Sequence, residues 1–310
     1  MDAVTRCFAR SLLPILLAVT LLVGCDMTRT LDPGDRDHDP KLVLQERFQP
    51  GQPWEIAVSH SVGAFESGEI TDEQFSVKSA TVEVFRGDTK LGTLSRDTLN
   101  RSSTTDFTPE PGVDYTVRAS ALGLDTVHAT DHIPPLPPVR LSTEGSDSTR
   151  LTLQLTIDDS GAADNYYEIV LESHLDRDSL ETLRRRVIFE TQNQAILNEM
   201  SGSVNLGEEN TYRGSEALFT DALFNGQSYT VNLQLPNEYR RAETDVTYVL
   251  QLRTLSADTY QYLSTRQLAD RTGENPFASP VDVEGNVEDG YGLVGGRDVD
   301  TLRYRPGTQP

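Results

Sequence analysis

Arg150-Leu151-Thr152-Leu153-Gln154-Leu155-Thr156-Ile157 alternates without a break, four aliphatic side chains each preceded by a polar one. Successive side chains of a strand point to opposite faces, so this octet reads as a strand with one face in a core and the other in water. Working outward, the same period of two recurs in short runs. Tyr166 to Leu171 follows an acidic loop, Asp158 to Asp164, and Val187-Ile188-Phe189, Tyr229 to Leu235 and Val246 to Leu252 continue the pattern. On the N-terminal side Leu42-Val43-Leu44, Trp54 to Val58, Thr81 to Phe85, Tyr115 to Ala119 and Thr126 to Ala129 read the same way. Pro50-Gly51, Gly87-Asp88, Pro111-Gly112 and Gly123 supply the turns. Short strands at this spacing predict a mainly β chain, built as two immunoglobulin-like or fibronectin-III-like β-sandwich domains, the second carrying a short helix.

Ile133-Pro134-Pro135-Leu136-Pro137-Pro138 is stiff and extended, because proline fixes φ and donates nothing to a ladder. It separates an N-terminal sandwich, residues 41–138, from a C-terminal β-rich domain, residues 139–310. A helix is expected near 258–270, capped by Ser256, stopped by Gly273 and turning Tyr260, Leu263 and Leu268 toward a sheet. The charge-dense stretch from Asp176 to Arg186 admits a second short helix. Beyond Pro280, Gly285, Gly290, Gly292, Gly295 and Gly296 lie among valines. Glycine at this density lets a strand turn sharply or come close to another backbone.

Residues 1–24 read as a lipoprotein signal peptide. Arg6 and Arg10 precede an apolar run, Leu12 to Val23, that is short for a membrane span. The run ends in Leu22-Val23-Gly24-Cys25, which resembles a bacterial lipobox and implies cleavage after Gly24 and lipid on Cys25. Cys7 leaves with the signal, so the mature chain has one cysteine and no intramolecular disulfide. Residues 25–40 then form an acidic, flexible tether with five aspartates. Asp35, Asp37 and Asp39, with Glu46 at the twelfth place, have the spacing of a calcium loop. Pro40 stands where that loop needs a glycine turn, so the tether is the reading taken.

The chain has 310 residues with 27 basic and 48 acidic side chains, a net charge of −21, and only 3 of its bases are lysines. This balance argues against nucleic acid, whose binders need a basic face, and against adhesion to anionic lipid headgroups. Acidity spread over the body, with lysine so scarce, points to salty surroundings in which self-repulsion is screened.

Chemistry-bearing motifs are sparse. His128 and His132 are four apart, share a strand face and are the best metal candidates, with Asp125 and Asp131 nearby. Asp158, Asp159 and Asp164 admit calcium, although a hydrated hairpin loop explains them more simply. Trp54, the single tryptophan, is expected between two sheets and not as an exposed sugar platform. Neither a His-Glu-x-x-His helix, nor a Gly-x-Ser-x-Gly elbow, nor a phosphate loop occurs, and no cofactor is expected.

A family resemblance runs through most of the mature chain. Lys41-Leu42-Val43-Leu44, Phe48, Pro50, Gly51 and Trp54 begin it, followed by Ala80-Thr81-Val82, Pro111-Gly112, Tyr115-Thr116-Val117, Thr126-Val127 and Ile133-Pro134. Asn165-Tyr166-Tyr167, Phe219, Asp221, Phe224, Gly226 and Tyr229 mark its middle. Tyr260, Tyr262, Asn275-Pro276-Phe277, Pro280, Asn286, Gly290 and Gly292 mark its end. In order and spacing these resemble an uncharacterised lipoprotein family of Bacteroidota-type bacteria, domain of unknown function 4249. The resemblance implies a lipid-anchored, two-part β protein of the cell envelope, on the outer membrane, accompanying an outer-membrane receptor or transporter. It transfers no catalytic residue. The function expected is therefore a non-enzymatic binding or accessory lipoprotein. Its rival is a carboxylate-dependent, glycosidase-like hydrolase on the cell surface, which would need an acid pair in a cleft.

Overall fold

The fold follows from the alternation of apolar and polar residues along most of its core strands, Arg150–Asp158 among them. In a computed structural model the described residues are 39–63, 75, 77, 79–96, 101–104, 106–146, 150–177, 181–200, 210–236, 245–273 and 278–306. Gly24, Cys25, the rest of the signal, nearly all of the tether and Asn275-Pro276-Phe277 lie outside them.

The N-terminal strands are β1 (Leu42–Phe48), β2 (Trp54–His60), β3 (Thr81–Arg86), β4 (Thr89–Thr93), β5 (Ser95–Arg96), β6 (Arg101–Thr104), β7 (Asp114–Ala121) and β8 (Leu124–His132). Four of them make a sheet in the order β4-β3-β7-β8. Its inward side chains, among them Val82, Val84, Val117 and Val127, share one core with Leu42, Leu44, Trp54 and Ile56 of β1 and β2. Trp54 is fully buried there, stacked on Phe48 at 4.7 Å and edge-on to Tyr115 at 5.4 Å. The turn glycines Gly51, Gly87, Gly112 and Gly123 all adopt positive φ, which a Cβ would strain.

The C-terminal strands are β9 (Val139–Ser146), β10 (Arg150–Asp158), β11 (Tyr166–Arg177), β12 (Glu181–Arg186), β13 (Phe189–Thr191), β14 (Tyr212–Gly214), β15 (Glu216–Thr220), β16 (Ser228–Pro236), β17 (Asp245–Leu255) and β18 (Tyr291–Tyr304). A five-stranded sheet, β14-β13-β16-β10-β9, buries Leu151, Leu153, Leu155 and Ile157 in a second core with Ile169, Leu171, Leu250 and Leu252 of β11 and β17. The helices whose ranges lie among the described residues are α1 (Gln194–Met200) and α2 (Ala257–Gly273).

Two local expectations change. The stretch read as a possible helix over Asp176 to Arg186 is instead the β11–β12 hairpin, paired from Glu172↔Arg186 to Arg177↔Glu181. Here Arg186 lies within 3.5 Å of both Glu172 and Glu216, and a charged edge strand keeps its charges in water while discouraging further pairing. On α2, burial is confined to Thr259, Tyr260 and Leu263, while Leu268 is 38% exposed. The helix meets Leu218 and Leu255 with its first two turns only.

Strand β18 joins the two cores. Its first half pairs parallel with β1, from Val43↔Tyr291 to Phe48↔Gly296. Its second half pairs antiparallel with β17, from Leu255↔Arg297 to Tyr248↔Tyr304. A nine-stranded sheet results, running β12-β11-β17-β18-β1-β2-β6-β5 with β15 beside β11. Val294 belongs to the first core, and Leu302 and Tyr304 pack on the second. The glycines make this closeness possible: a Cβ on Gly292 would strike the Leu44 carbonyl oxygen, and one on Gly296 the carbonyl of His132. Glu46, which the calcium-loop spacing included, lies within β1 opposite Val294. Burial, reinforced by Glu55, pushes its carboxyl up to about 8, against the opposing pull of Arg297 and Arg47.

Candidate functional site

Strand β8 carries both candidate metal histidines, and each is taken up by a carboxylate. His128 Nε2 is 3.0 Å from Glu288, whose backbone N–H donates to the His128 carbonyl at 2.8 Å. His132 Nδ1 is 3.7 Å from Asp131 and 3.9 Å from Asp114. Among the described residues no group of three or more His, Cys, Asp or Glu side chains is placed to hold a metal ion.

The acidic loop is an arch and not a hairpin, because β10 and β11 belong to opposite sheets. Asp158 accepts from Ser228 Oγ at 2.7 Å and from Arg140 at 2.8 and 3.2 Å, and these donors hold its carboxyl below the usual range. Asp159 accepts from the Gly226 N–H at 2.8 Å, from Asn165 Nδ2 at 3.1 Å and from the Tyr167 hydroxyl. Asp221 accepts from the Asn165 N–H at 3.0 Å and its Nδ2 at 3.1 Å. Burial nevertheless raises the Asp221 carboxyl, the neighbouring acids adding to it. Nearby, Phe224 stacks on Tyr229 at 4.1 Å and lies 6.2 Å from Tyr167. Apart from Tyr166, the middle residues of the family resemblance are thus one polar clamp joined to one aromatic cluster, and Asp159 and Asp221 serve as internal acceptors.

A second clamp involves Asp131, read from sequence only as a neighbour of the histidines. It accepts from the Gly296 N–H at 2.9 Å, the His132 N–H at 2.8 Å and the Ser256 hydroxyl. Ser256 Oγ accepts in turn from the Thr259 N–H at 3.2 Å, capping α2 as expected. Asp131 therefore fixes β8, α2 and β18 together, and desolvation raises its carboxyl in spite of the three donors. The signal that could have found it is an acid inside an otherwise apolar strand pattern, which needs donors when buried.

These anchors leave a cavity of ≈ 550 Å³ at the start of β18. Tyr262 and Arg266, one turn apart on α2, face Val43 and Gln45 of β1, while Val283, Val287 and Tyr291 add apolar and aromatic surface. Gly285, Gly290 and Gly292 complete the lining. The segment before β18 is pinned by two side chains. Asn286 pairs with both backbone groups of Val294 at 3.0 Å and reaches Asp258 at 3.2 Å, and Thr265 Oγ1 accepts from the Glu284 N–H at 3.0 Å. The Tyr291 ring is half exposed, with Lys41 Nζ 5.7 Å from its centroid. Tyr262, Asn286, Gly290 and Gly292, all from the end of the resemblance, gather here. Tyr260 does not: it lies 4.8 Å from Tyr166 and donates to Glu199.

A second cavity, of ≈ 540 Å³, lies on the outer face of the five-stranded sheet, between Arg150 and Gln234 on one side and Gln192 to Gln194 on the other. Among the described residues lining the two cavities the single carboxylate is Glu190. Among the described residues neither therefore presents the acid pair that glycoside hydrolysis uses.

Fold and sites define a protein of the β-sandwich class, two cores joined through one sheet, with open cavities that carry hydrogen-bonding and aromatic groups. The chain belongs to the family described as Domain of unknown function (DUF4249), whose model matches residues 28–303. No curated protein matches it in sequence. Among solved structures, β-glucuronidase 3 of Bacteroides uniformis is similar at 13% identity and TM-score 0.21, with 68% of this chain and 23% of that one covered. A β-glycosidase from Bacteroides vulgatus matches at 10% identity and TM-score 0.21, covering 70% and 23%. Chitinase ChiA74 from Bacillus thuringiensis matches at 11% and 0.17, covering 63% and 26%. The chain spans about a quarter of the length of these enzymes, and a likeness this slight carries no argument about activity.

Proposed function

We propose that this is a lipid-anchored, non-enzymatic accessory protein of the cell envelope. In this reading it is held to the outer membrane through Cys25 and engages a membrane receptor or transporter at the cavity beside β18. The observation that carries the reading is that cavity. It places Tyr262, Tyr291 and three valines beside one guanidinium, on a floor fixed by Asn286. Aromatic and arginine anchors are what partner surfaces use for affinity. The Leu22-Val23-Gly24-Cys25 tetrapeptide supports the anchor, and two or three acyl chains suffice to hold a protein on a bilayer.

The test is site-specific photocrosslinking in cells. A crosslinker at Tyr291 should trap a heat-modifiable β-barrel protein, and one at Leu122, exposed on the β7–β8 turn, should not. Cys25→Ala should abolish both palmitate incorporation and the adduct. Equal adducts from the two positions, or none from Tyr291, would overturn the proposal.

A further inference from the structure

The cavity on the outer face of the five-stranded sheet has a different chemistry. Gln192, Asn193, Gln194, Asn232 and Gln234 bring five carboxamides to it, with Arg150 at one end. Its one acid, Glu190, lies 3.7 Å from Arg213. On a chain of net charge −21 the described residues lining this patch carry one positive and one negative side chain and are otherwise neutral.

Most of the amides are oriented, with one half engaged and the other open. Gln192 donates to Thr211 at 3.3 Å, Gln194 donates to Asn198 at 2.6 Å, and Gln234 accepts from Arg150 at 3.1 Å. Asn193 is engaged at both ends, accepting from the Tyr229 hydroxyl at 3.2 Å and donating to the Thr230 carbonyl at 3.3 Å. The remaining oxygens of Gln192 and Gln194 and the Gln234 NH₂ have no partner among the described residues, nor does the Asn232 amide. A carboxamide offers a donor and an acceptor side by side, the spacing of two vicinal hydroxyls. Fixing such groups in advance lowers the entropy lost when a flexible ligand binds.

We infer that this face binds a neutral oligosaccharide, a function separate from the cavity beside β18. An extended peptide fits less well, because peptide grooves add apolar pockets for alternate side chains and this lining has none among the described residues. A charged glycan would meet no surplus of either sign.

The experiment uses the full chain in detergent. It is titrated calorimetrically with cello-, xylo-, manno- and maltohexaose and with a neutral Gly-Ser decapeptide. Saturable binding to at least one hexasaccharide is expected, weakened about tenfold or more in N232A/Q234A, which removes two of the hydrogen-bonding amides. Circular dichroism of that variant should match the parent, both side chains being on the solvent face. Tyr291→Ser, in the other cavity, should leave glycan binding unchanged. Absence of saturable binding at millimolar glycan, equal affinity in the double variant, or binding of the peptide alone would overturn the inference.

Discussion

Asn286 takes the place of a neighbouring strand for Val294. Its Oδ1 accepts from the Val294 N–H and its Nδ2 donates to the Val294 carbonyl, both at 3.0 Å, on the side of β18 away from β1. Val294 is fully buried, so neither backbone group has water to turn to. Asn286→Ala should therefore cost ~2–4 kcal/mol, the sum of two groups left unsatisfied. Asn286→Asp, which keeps the acceptor and sets an oxygen against the Val294 carbonyl, should cost nearly as much. Urea unfolding of both variants measures this, and a loss under ~0.5 kcal/mol would show that the amide is dispensable.

Asp131 and Ser256 should prove non-additive. Ser256 caps α2 and donates to Asp131, which also accepts from the Gly296 N–H. Ser256→Ala is expected to cost ~1–2 kcal/mol. Asp131→Ala should cost ~2–4 kcal/mol, because it orphans the Gly296 donor. In the double variant the shared bond is lost once, so the cost should fall short of the sum by about 1 kcal/mol. A cycle that closes additively would separate the cap from the clamp.

Glu46 makes stability depend on pH. Burial pushes its folded carboxyl up to about 8 from an ordinary 4.5, so the folded state keeps a proton that the unfolded chain has released. This contribution is complete below about pH 4.5 and is lost as the pH rises toward about 8. Glu46→Gln removes the dependence. It should match the parent near pH 4 and exceed it at pH 9 by on the order of a few kcal/mol, read from midpoints of urea unfolding. Parallel stability curves for parent and variant would exclude Glu46 as the source.

Salt should stabilise the chain. With 48 acids against 27 bases, repulsion within the folded body is screened as ionic strength rises. The thermal midpoint is expected to climb by several degrees between low salt and molar sodium chloride. A flat or falling midpoint would count against adaptation to a salty habitat.

Legibility divides along a physical line. The alternation at Arg150–Asp158 identifies its strand and inward face, and Leu151, Leu153, Leu155 and Ile157 are all buried. Trp54 lies between sheets as its lone aromatic bulk implied. Glycine-driven close approach was visible in composition, but its partner was not: nothing local to Gly292 names Leu44, nearly the whole chain away, as the backbone it meets. The buried acids were hidden for the same reason, since Asp131, Asp159 and Asp221 acquire donors only when distant segments meet. The hairpin ending at Arg177 and Glu181 was obscured because dense charge suits an exposed helix and an edge strand equally.

Strand β18 also sets an order of events. Strand β1 gains its parallel neighbour only from residues 291–296, more than half the chain away, so this pairing waits until those residues have been made and delivered. Neither core reaches its final composition before that moment, since Val294 completes one and Leu302 the other. Contacts so far apart in sequence close late, after local hairpins have formed. A polypeptide arrested mid-transit thus lacks its closing strand, and a C-terminal protease nick would reach both halves at once.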